Sequence, residues 1–222
     1  ILFDYLQERA KQNDVEFSKR VYYMCYAAGI LSFYGITEEQ TIKLKLYDIT
    51  SSGVTGYNLP LTKKDIDILM TYRNTQRLAN RMPLCGDNYI RSIHKNTKIT
   101  SSFLSRPLWR IEFDEEHSYL QKLLTINNLY WLGVYARAYE HEDINGIEII
   151  KNQKTPSWFC NLIGSHNGGT LSIRKSEYLE YKTERDTCSD YFNSKIENEN
   201  SAEKNIESKL NENQIICTND YH

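Results

Sequence analysis

The residues with the clearest capacity for binding chemistry are basic and lie close together in the sequence. Between Leu61 and Arg110 there are ten bases against only three acids. Clustered guanidinium and ammonium groups attract phosphates, so this basic block indicates a surface for nucleic acid. The ten bases are Lys63, Lys64, Arg73, Arg77, Arg81, Arg91, Lys95, Lys98, Arg106 and Arg110.

Metal and cofactor sites are not predicted, because the residues that could form them are poorly spaced. The four acids at positions 112 and 114–116 could suggest a metal site, but no second element offers partner acids at helical spacing. We therefore interpret these four acids as the solvent-exposed first turn of a helix. His94, His117 and His141 fall on separate elements, which disfavours a metal site. The Gly168-Gly169 pair lacks the Lys-Ser/Thr that follows in a phosphate-binding P-loop.

Length and composition predict one sizeable core in a reducing compartment. The chain has 222 residues, of which 40% are hydrophobic and 25% are charged, with a formal charge of −2. Its five cysteines are irregularly spaced and odd in number, which favours reduced thiols. No apolar run approaches the ~20 residues that cross a bilayer, so we expect a cytoplasmic protein without a membrane partner. The first residue is not methionine, and we expect a C-terminal fragment of a longer chain.

A mainly helical framework must position the basic residues. Apolar spacing predicts helices over Ile1–Asn13 and Val15–Phe33, and the wide apolar stripe of the second predicts that it is buried. In the first helix one apolar face is predicted, which consists of Ile1, Leu2, Tyr5, Leu6 and Ala10. After a turn at Gly35, Thr37 is predicted to cap a further helix that continues towards Ile49.

A short hairpin and a capped helix are predicted next. Glycines, serines and β-branched residues over Thr50–Pro60 suit a hairpin. Thr62 and Asp65 have the spacing of a capping box that opens a helix. A helix-turn-helix over Leu61–His94 is an alternative, although the spacing of its two helices fits that motif poorly. Ile111–Leu124 is predicted to return to helix.

The run from Tyr34 to Ile49 resembles the first signature of the tyrosine recombinases, the phage integrases and their relatives. In that family threonine-glycine-leucine-arginine is followed, after two intervening residues, by glutamate, and then by a leucine-lysine pair that closes on aspartate-isoleucine. Gly35, Lys45, Asp48 and Ile49 match this pattern. Thr37 stands at the position of the catalytic arginine, and Gln40 at that of the glutamate.

Two later stretches resemble the remaining family signatures in length and framework. Thr125 and Leu129 keep the frame of the histidine-x-leucine-arginine signature, where Asn127 replaces the histidine and Tyr130 the second arginine. The stretch from Leu162 to Arg174 has the length of the signature that ends on the tyrosine nucleophile. There Ser165 replaces the histidine and Arg174 replaces the tyrosine. No lysine lies between residues 45 and 63, where the family carries a catalytic lysine on a small sheet.

This resemblance covers roughly residues 15–181 and implies a mainly α fold with a small β hairpin, an α+β fold like the recombinase catalytic domain. None of the degenerate positions, Thr37, Asn127, Tyr130, Ser165 and Arg174, can perform the corresponding catalytic task, so we expect no enzyme activity and no cofactor. Double-stranded DNA is the expected partner. The DNA-binding residues that we predict are Lys43, Lys45, Arg73, Arg77, Arg81, Arg91, Lys95, Lys98, Arg106, Arg110, Arg137 and Arg174.

Three functions remain open at this point. The first is a catalytically inactive DNA-binding repressor, most naturally bacterial, nucleoid-associated and of prophage origin, because the composition suits an AT-rich genome. The second is an active recombinase with a relocated nucleophile, for which Tyr178 and His166 are the candidates. The third is a structural protein that assembles at a DNA site without reading sequence. Binding to random DNA at equal strength would favour the third.

The domain organisation predicted from charge is one DNA-binding domain and a tail. The domain covers residues 1–181, and the acidic tail covers residues 182–222. From Glu180 to the end of the sequence there are ten acidic and five basic residues. Ser201 can cap a narrow amphipathic helix in this tail, which would dock within the chain or on a second copy and so form a homo-oligomer.

Overall fold

Helices make up most of the computed structural model, which describes residues 1–78, 87–91, 111, 113–122 and 125–189. The elements in chain order are α1 (Leu2–Gln12), α2 (Glu16–Phe33), α3 (Glu38–Thr41), a 3-10 helix (Leu46–Asp48), β1 (Ile49–Thr50), β2 (Gly53–Val54), α4 (Lys63–Leu78), a second 3-10 helix (Ser118–Lys122), α5 (Ile126–Asn145) and α6 (Ser157–Ile163). A further helix, α7, covers residues 168–189. The predicted class, mainly α with a small antiparallel sheet, is confirmed.

The chain forms two compact units, Ile1–Glu140 and His141–His222. The core of the first is built around α2, which packs against α1 and α4. The side chains from Met24 to Ala28 are all almost fully buried, and Leu31 is completely buried. The predicted burial of α2 is therefore confirmed for its second half, while residues 18–21 near its start are only partly buried.

Helix α1 buries the apolar face that its sequence predicts, with one exception. Leu2, Tyr5, Leu6 and Ala10 are buried. Ile1 is 76% exposed, so its predicted place on that face is wrong. It precedes the first helical residue, where helical periodicity no longer decides which way a side chain points.

Thr37 caps α3 as predicted, but the helix is much shorter than the sequence suggests. The Thr37 hydroxyl accepts a hydrogen bond from the Gln40 amide at 3.3 Å. Helix α3 ends at Thr41, and the chain turns into the 3-10 helix. One cause of the turn is Asp48, whose side chain accepts the Lys45 amide at 2.7 Å and so closes a tight local ring.

A hairpin is confirmed, but it is shorter than the predicted Thr50–Pro60, because the second strand ends at Val54. Ile49 lies opposite Val54 and Thr50 opposite Gly53. Gly53 has a φ of +124°, a conformation that residues with a β-carbon rarely adopt. The Thr50 hydroxyl accepts the Ser52 amide at 3.3 Å and donates to the Gly53 carbonyl at 3.1 Å. The turn is therefore held by local hydrogen bonds.

The capping box at α4 is confirmed and extends into the core. The Thr62 amide donates to the Asp65 carboxylate at 3.0 Å, and the Asp65 amide donates to the Thr62 hydroxyl at 3.2 Å. Asp65 is only 5% exposed and also accepts the Tyr26 hydroxyl of α2 at 2.8 Å. Burial, and secondly this hydrogen bond, raise the pKa of Tyr26. One carboxylate therefore joins α4 to α2.

The second unit contains an ion pair between a buried carboxylate and a partly exposed lysine. Glu142 is 6% exposed, and its carboxylate accepts the Ile149 amide at 2.5 Å and the Lys182 ammonium at 2.8 Å. These bonds hold the segment after α5 and the middle of α7 to one carboxylate. The predicted division of the chain at residue 181 stays a prediction, and α7 runs across that position.

Several predicted elements lie wholly or partly outside the described residues. The tail helix after Ser201 does, and so does most of the second helix of the alternative helix-turn-helix. Within Ile111–Leu124 the described residues form a turn and a 3-10 helix, so the predicted α-helix is wrong there. Asp114 is one reason, because its carboxylate accepts the His117 amide at 3.0 Å and closes a turn. Among the described helices, none combines the length and apolarity needed to span a membrane.

Candidate functional site

One cavity of the first unit is lined by three residues that are up to 93 positions apart in the sequence. They are Thr37, Asn127 and Tyr130, which the recombinase resemblance places at the positions of the two arginines and the first histidine. The cavity has a volume of about 290 Å³. Its other lining residues are Ser32, Glu38, Ile126 and Trp131.

The turn after α2 brings Thr37 to the cavity. Gly35 has a φ of +97°, and its amide donates to the Ser32 carbonyl at 2.9 Å. The next amide, that of Ile36, donates to the Leu31 carbonyl at 3.0 Å. This pair of bonds closes the end of α2 and reverses the chain, and only glycine adopts the required conformation without strain.

The start of α5 supplies Asn127 and Tyr130. Thr125 caps this helix, because its hydroxyl accepts the Asn128 amide at 3.0 Å. Ser32, which is fully buried in α2, donates its hydroxyl to the Ile126 carbonyl at 2.9 Å. That bond fixes the first turn of α5 against α2, so the cavity wall has a defined position.

Helices α2 and α5 approach each other closely near the cavity. A β-carbon built on Gly133 would lie 1.8 Å from the Phe33 carbonyl oxygen, which leaves no space for any side chain. Arg137, one turn further along α5, donates to the same carbonyl at 2.8 Å. Burial lowers the pKa of this guanidinium. Arg137, which we predict to bind DNA, is therefore bonded to the end of α2.

The chemistry of the cavity is polar, aromatic and without positive charge. Its described lining residues include two hydroxyl groups, an amide, a tyrosine, a tryptophan and the Glu38 carboxylate, and none of them is basic. Phosphoryl transfer needs positive groups or oriented donors around the phosphate oxygens. These side chains can donate and accept hydrogen bonds, but they do not provide that positive charge.

The other two degenerate positions lie in the second unit. Ser165 follows Gly164, whose left-handed conformation ends α6, and the Ser165 hydroxyl accepts the Asn167 amide at 3.2 Å. Arg174 lies on α7 and pairs with Glu177 at 2.7 Å. Both residues therefore have hydrogen-bonding partners within a few residues in the second unit.

Tyr178, the candidate for a relocated nucleophile, is inaccessible within its unit. Its relative exposure is 0%, and its ring lies 5.4 Å from that of Phe159. A nucleophilic hydroxyl must come within hydrogen-bonding distance of its phosphate and base. The buried position of Tyr178 in the core of the second unit gives it a packing role.

Most of the described bases in the predicted DNA-binding set donate to the chain itself. Lys45 donates to the Asn88 side chain at 2.6 Å, and Arg73 donates to the Ile49 carbonyl at 2.5 Å. Arg91 is 2% exposed and donates to the Asn88 carbonyl at 2.7 Å. Lys43 is exposed. The side chain of Arg77, together with Arg81, Lys95, Lys98, Arg106 and Arg110, lies outside the described residues.

Sequence reasoning did not identify Ser32, Glu38 and Trp131 as part of a site. Glu38 and Trp131 adjoin predicted positions and could have been inferred from the first turns of their helices. The sequence offered no reason to assign Ser32 to a site, because the apolar pattern of its helix predicts a buried core helix. Among the described residues, no group of three or more potential ligands is arranged to hold a metal ion.

Comparisons of the chain with protein-family models, with curated proteins and with solved structures found no match.

Proposed function

We propose that this chain is a catalytically inactive DNA-binding protein with a tyrosine-recombinase-like fold, and that it acts as a transcriptional repressor, most naturally in a prophage. The observation that carries this proposal is the meeting of Thr37, Asn127 and Tyr130 at one cavity. The resemblance assigns these three positions to one catalytic centre, although the chain separates the first from the others by about 90 residues. Their proximity supports the alignment on which the proposal rests.

The chemistry of the same residues supports the loss of catalysis. A recombinase uses two arginines to hold the phosphate in the transition state and a tyrosine to attack it. Threonine and tyrosine at the arginine positions can each donate only neutral hydrogen bonds. In other enzymes, the loss of one donor that stabilises the transition state costs roughly 3 kcal/mol. With both arginines and the nucleophile replaced, binding to duplex DNA is the activity that the fold retains.

A charge placed in the cavity tests whether this surface faces DNA. Asn127→Asp is expected to weaken binding to a labelled duplex from the DNA that flanks the chain's own gene. We expect about a three- to tenfold loss at low salt and a smaller loss at high salt, because added negative charge repels phosphates and salt screens that repulsion. Fluorescence anisotropy over a salt series measures both effects.

Asn128→Asp is the matched control. It adds the same charge one residue later in the first turn of α5, where acidic residues favour the helix, but position 128 does not line the described cavity. Equal losses from both variants would mean that the cavity is not the DNA-facing element. Binding to random duplexes as strong as to the flanking DNA would exclude a repressor and favour a structural role.

Covalent trapping tests the absence of recombinase chemistry. A nicked suicide substrate is expected to yield no protein–DNA adduct on a denaturing gel, because Arg174 occupies the nucleophile position and Tyr178 is fully buried. A known active recombinase with its own site serves as the positive control. A phosphotyrosine adduct that disappears in Tyr178→Phe would establish the relocated nucleophile and contradict the proposal.

A further inference from the structure

The aromatic wall of the cavity is held in place by its neighbours. The rings of Tyr130 and Trp131 lie 5.4 Å apart at 90°, so they form a corner. Trp131 also stacks on Tyr135, with ring centroids 6.2 Å apart and planes inclined by 30°. Stacked and edge-to-face contacts of this kind limit the orientations of a ring. The two rings that line the cavity are therefore held in defined orientations.

The polar groups of the cavity favour an uncharged ligand that both donates and accepts hydrogen bonds. The Glu38 carboxylate accepts N–H groups and repels phosphate. The Asn127 amide and the Thr37 hydroxyl can donate to a carbonyl oxygen, and the positive end of the α5 dipole at this position favours the same oxygen. An adjacent N–H and C=O on a planar ring, the lactam edge, complements these groups.

We propose that this cavity binds the lactam edge of an uncharged nucleobase of the thymine, uracil or guanine type. A volume of about 290 Å³ lies at the small end of the range for ligand pockets, which suits a single ring system rather than a larger cofactor. Base stacking on aromatic side chains stabilises such complexes by roughly 1–3 kcal/mol per base. The proposal requires the cavity only, and does not depend on binding to duplex DNA.

The base can come from a free nucleoside or from an unpaired position in DNA, since both present the same edge. Isothermal titration of the 222-residue chain with thymidine tests the first source. N3-methylthymidine is the matched ligand, because one methyl group removes the N–H donor and leaves the ring intact. Thymidine is expected to bind saturably, and the methylated ligand at least tenfold more weakly. Inorganic phosphate, titrated separately, tests for an anion site.

Glu38→Gln tests the carboxylate, and Glu39→Gln is its control. Both residues lie in the first turn of α3, so both changes remove one negative charge from the same helix start, but only Glu38 lines the described cavity. Glu38→Gln is expected to weaken thymidine binding about tenfold, because hydrogen bonds to charged acceptors are stronger than neutral ones. Glu39→Gln is expected to leave it unchanged.

A duplex with one bulged thymine, compared with the fully paired duplex and with an abasic bulge, tests the second source. Tighter binding to the bulged thymine alone, lost in Glu38→Gln, would support the proposal with DNA as the source. The proposal is overturned if neither thymidine nor the bulged thymine is preferred over its control. It is also overturned if phosphate binds and Glu38→Gln strengthens that binding, because the cavity would then be an anion site. Equal binding to all three duplexes would overturn only the DNA source and leave the repressor hypothesis to its own assay.

Discussion

Replacing Gly133 with alanine is expected to destabilise the chain by about 3 kcal/mol, because α2 and α5 are in backbone contact at this position. The added β-carbon would lie 1.8 Å from the Phe33 carbonyl oxygen and 2.6 Å from its carbon. These are backbone atoms, so no side-chain rotation relieves the overlap, and the helices must separate. Overpacking of this kind typically costs 1–3 kcal/mol, and occasionally more. Urea unfolding followed by circular dichroism measures the loss.

Gly168→Ala is the matched control for this prediction. Gly168 is the first residue of α7, and a β-carbon there would meet no atom within 4 Å. Alanine lowers the entropy of the unfolded chain, so this variant is expected to be neutral or more stable by up to about 1 kcal/mol. If Gly133→Ala were also neutral, α2 and α5 would not be in contact at Phe33.

The contact between Gly133 and the Phe33 carbonyl affects the shape of the cavity as well as the stability of the chain. Gly133 lies one turn after Tyr130 on α5, and the Ser32 hydroxyl joins α2 to the first turn of the same helix. Separation of the helices at Phe33 would therefore move one cavity wall away from the other. We expect the Gly133→Ala variant to lose thymidine binding at temperatures where it still retains its helical signal.

The second large effect is expected for Asp65→Ala, which should lower the free energy of unfolding by about 3 kcal/mol. The change leaves the buried Tyr26 hydroxyl without its acceptor, at a cost of roughly 1–3 kcal/mol. It also removes the two hydrogen bonds that the Asp65 carboxylate accepts from the Thr62 amide and hydroxyl, a capping contribution worth roughly 1 kcal/mol. Thermal unfolding should give a lower midpoint and reduced cooperativity between α2 and α4.

Two variants separate these causes. Asp67→Ala removes an exposed carboxylate from the same helix and is expected to change the stability by less than about 0.5 kcal/mol. Asp65→Asn keeps one oxygen for Tyr26 and is expected to lose roughly half as much stability as Asp65→Ala. An Asp67→Ala loss as large as that of Asp65→Ala would show that charge at the start of α4, rather than the buried network, is responsible.

The sequence alone predicted those features whose hydrogen-bonding partners lie within a few residues of one another. The caps at Thr37 and Thr62 bind amides three positions away, and the hairpin depends on Gly53 and its neighbours. Apolar periodicity likewise predicted the burial of α2. These features follow from the sequence because side-chain chemistry and backbone conformation at short range determine them, whatever surrounds the element.

The tertiary structure decided which polar residues meet and which charges are available for binding. The sequence predicts Arg73 and Arg137 as DNA-binding residues, but backbone carbonyls of other segments accept their hydrogen bonds. Arg91 is buried and donates to the Asn88 carbonyl three residues away. The cavity depends on the approach of α2 and α5, which Gly133 permits and the Ser32 hydroxyl fixes. Neither contact has a signature in either helix alone, because a close approach is a property of two packed surfaces, and sequence spacing reports the faces of only one.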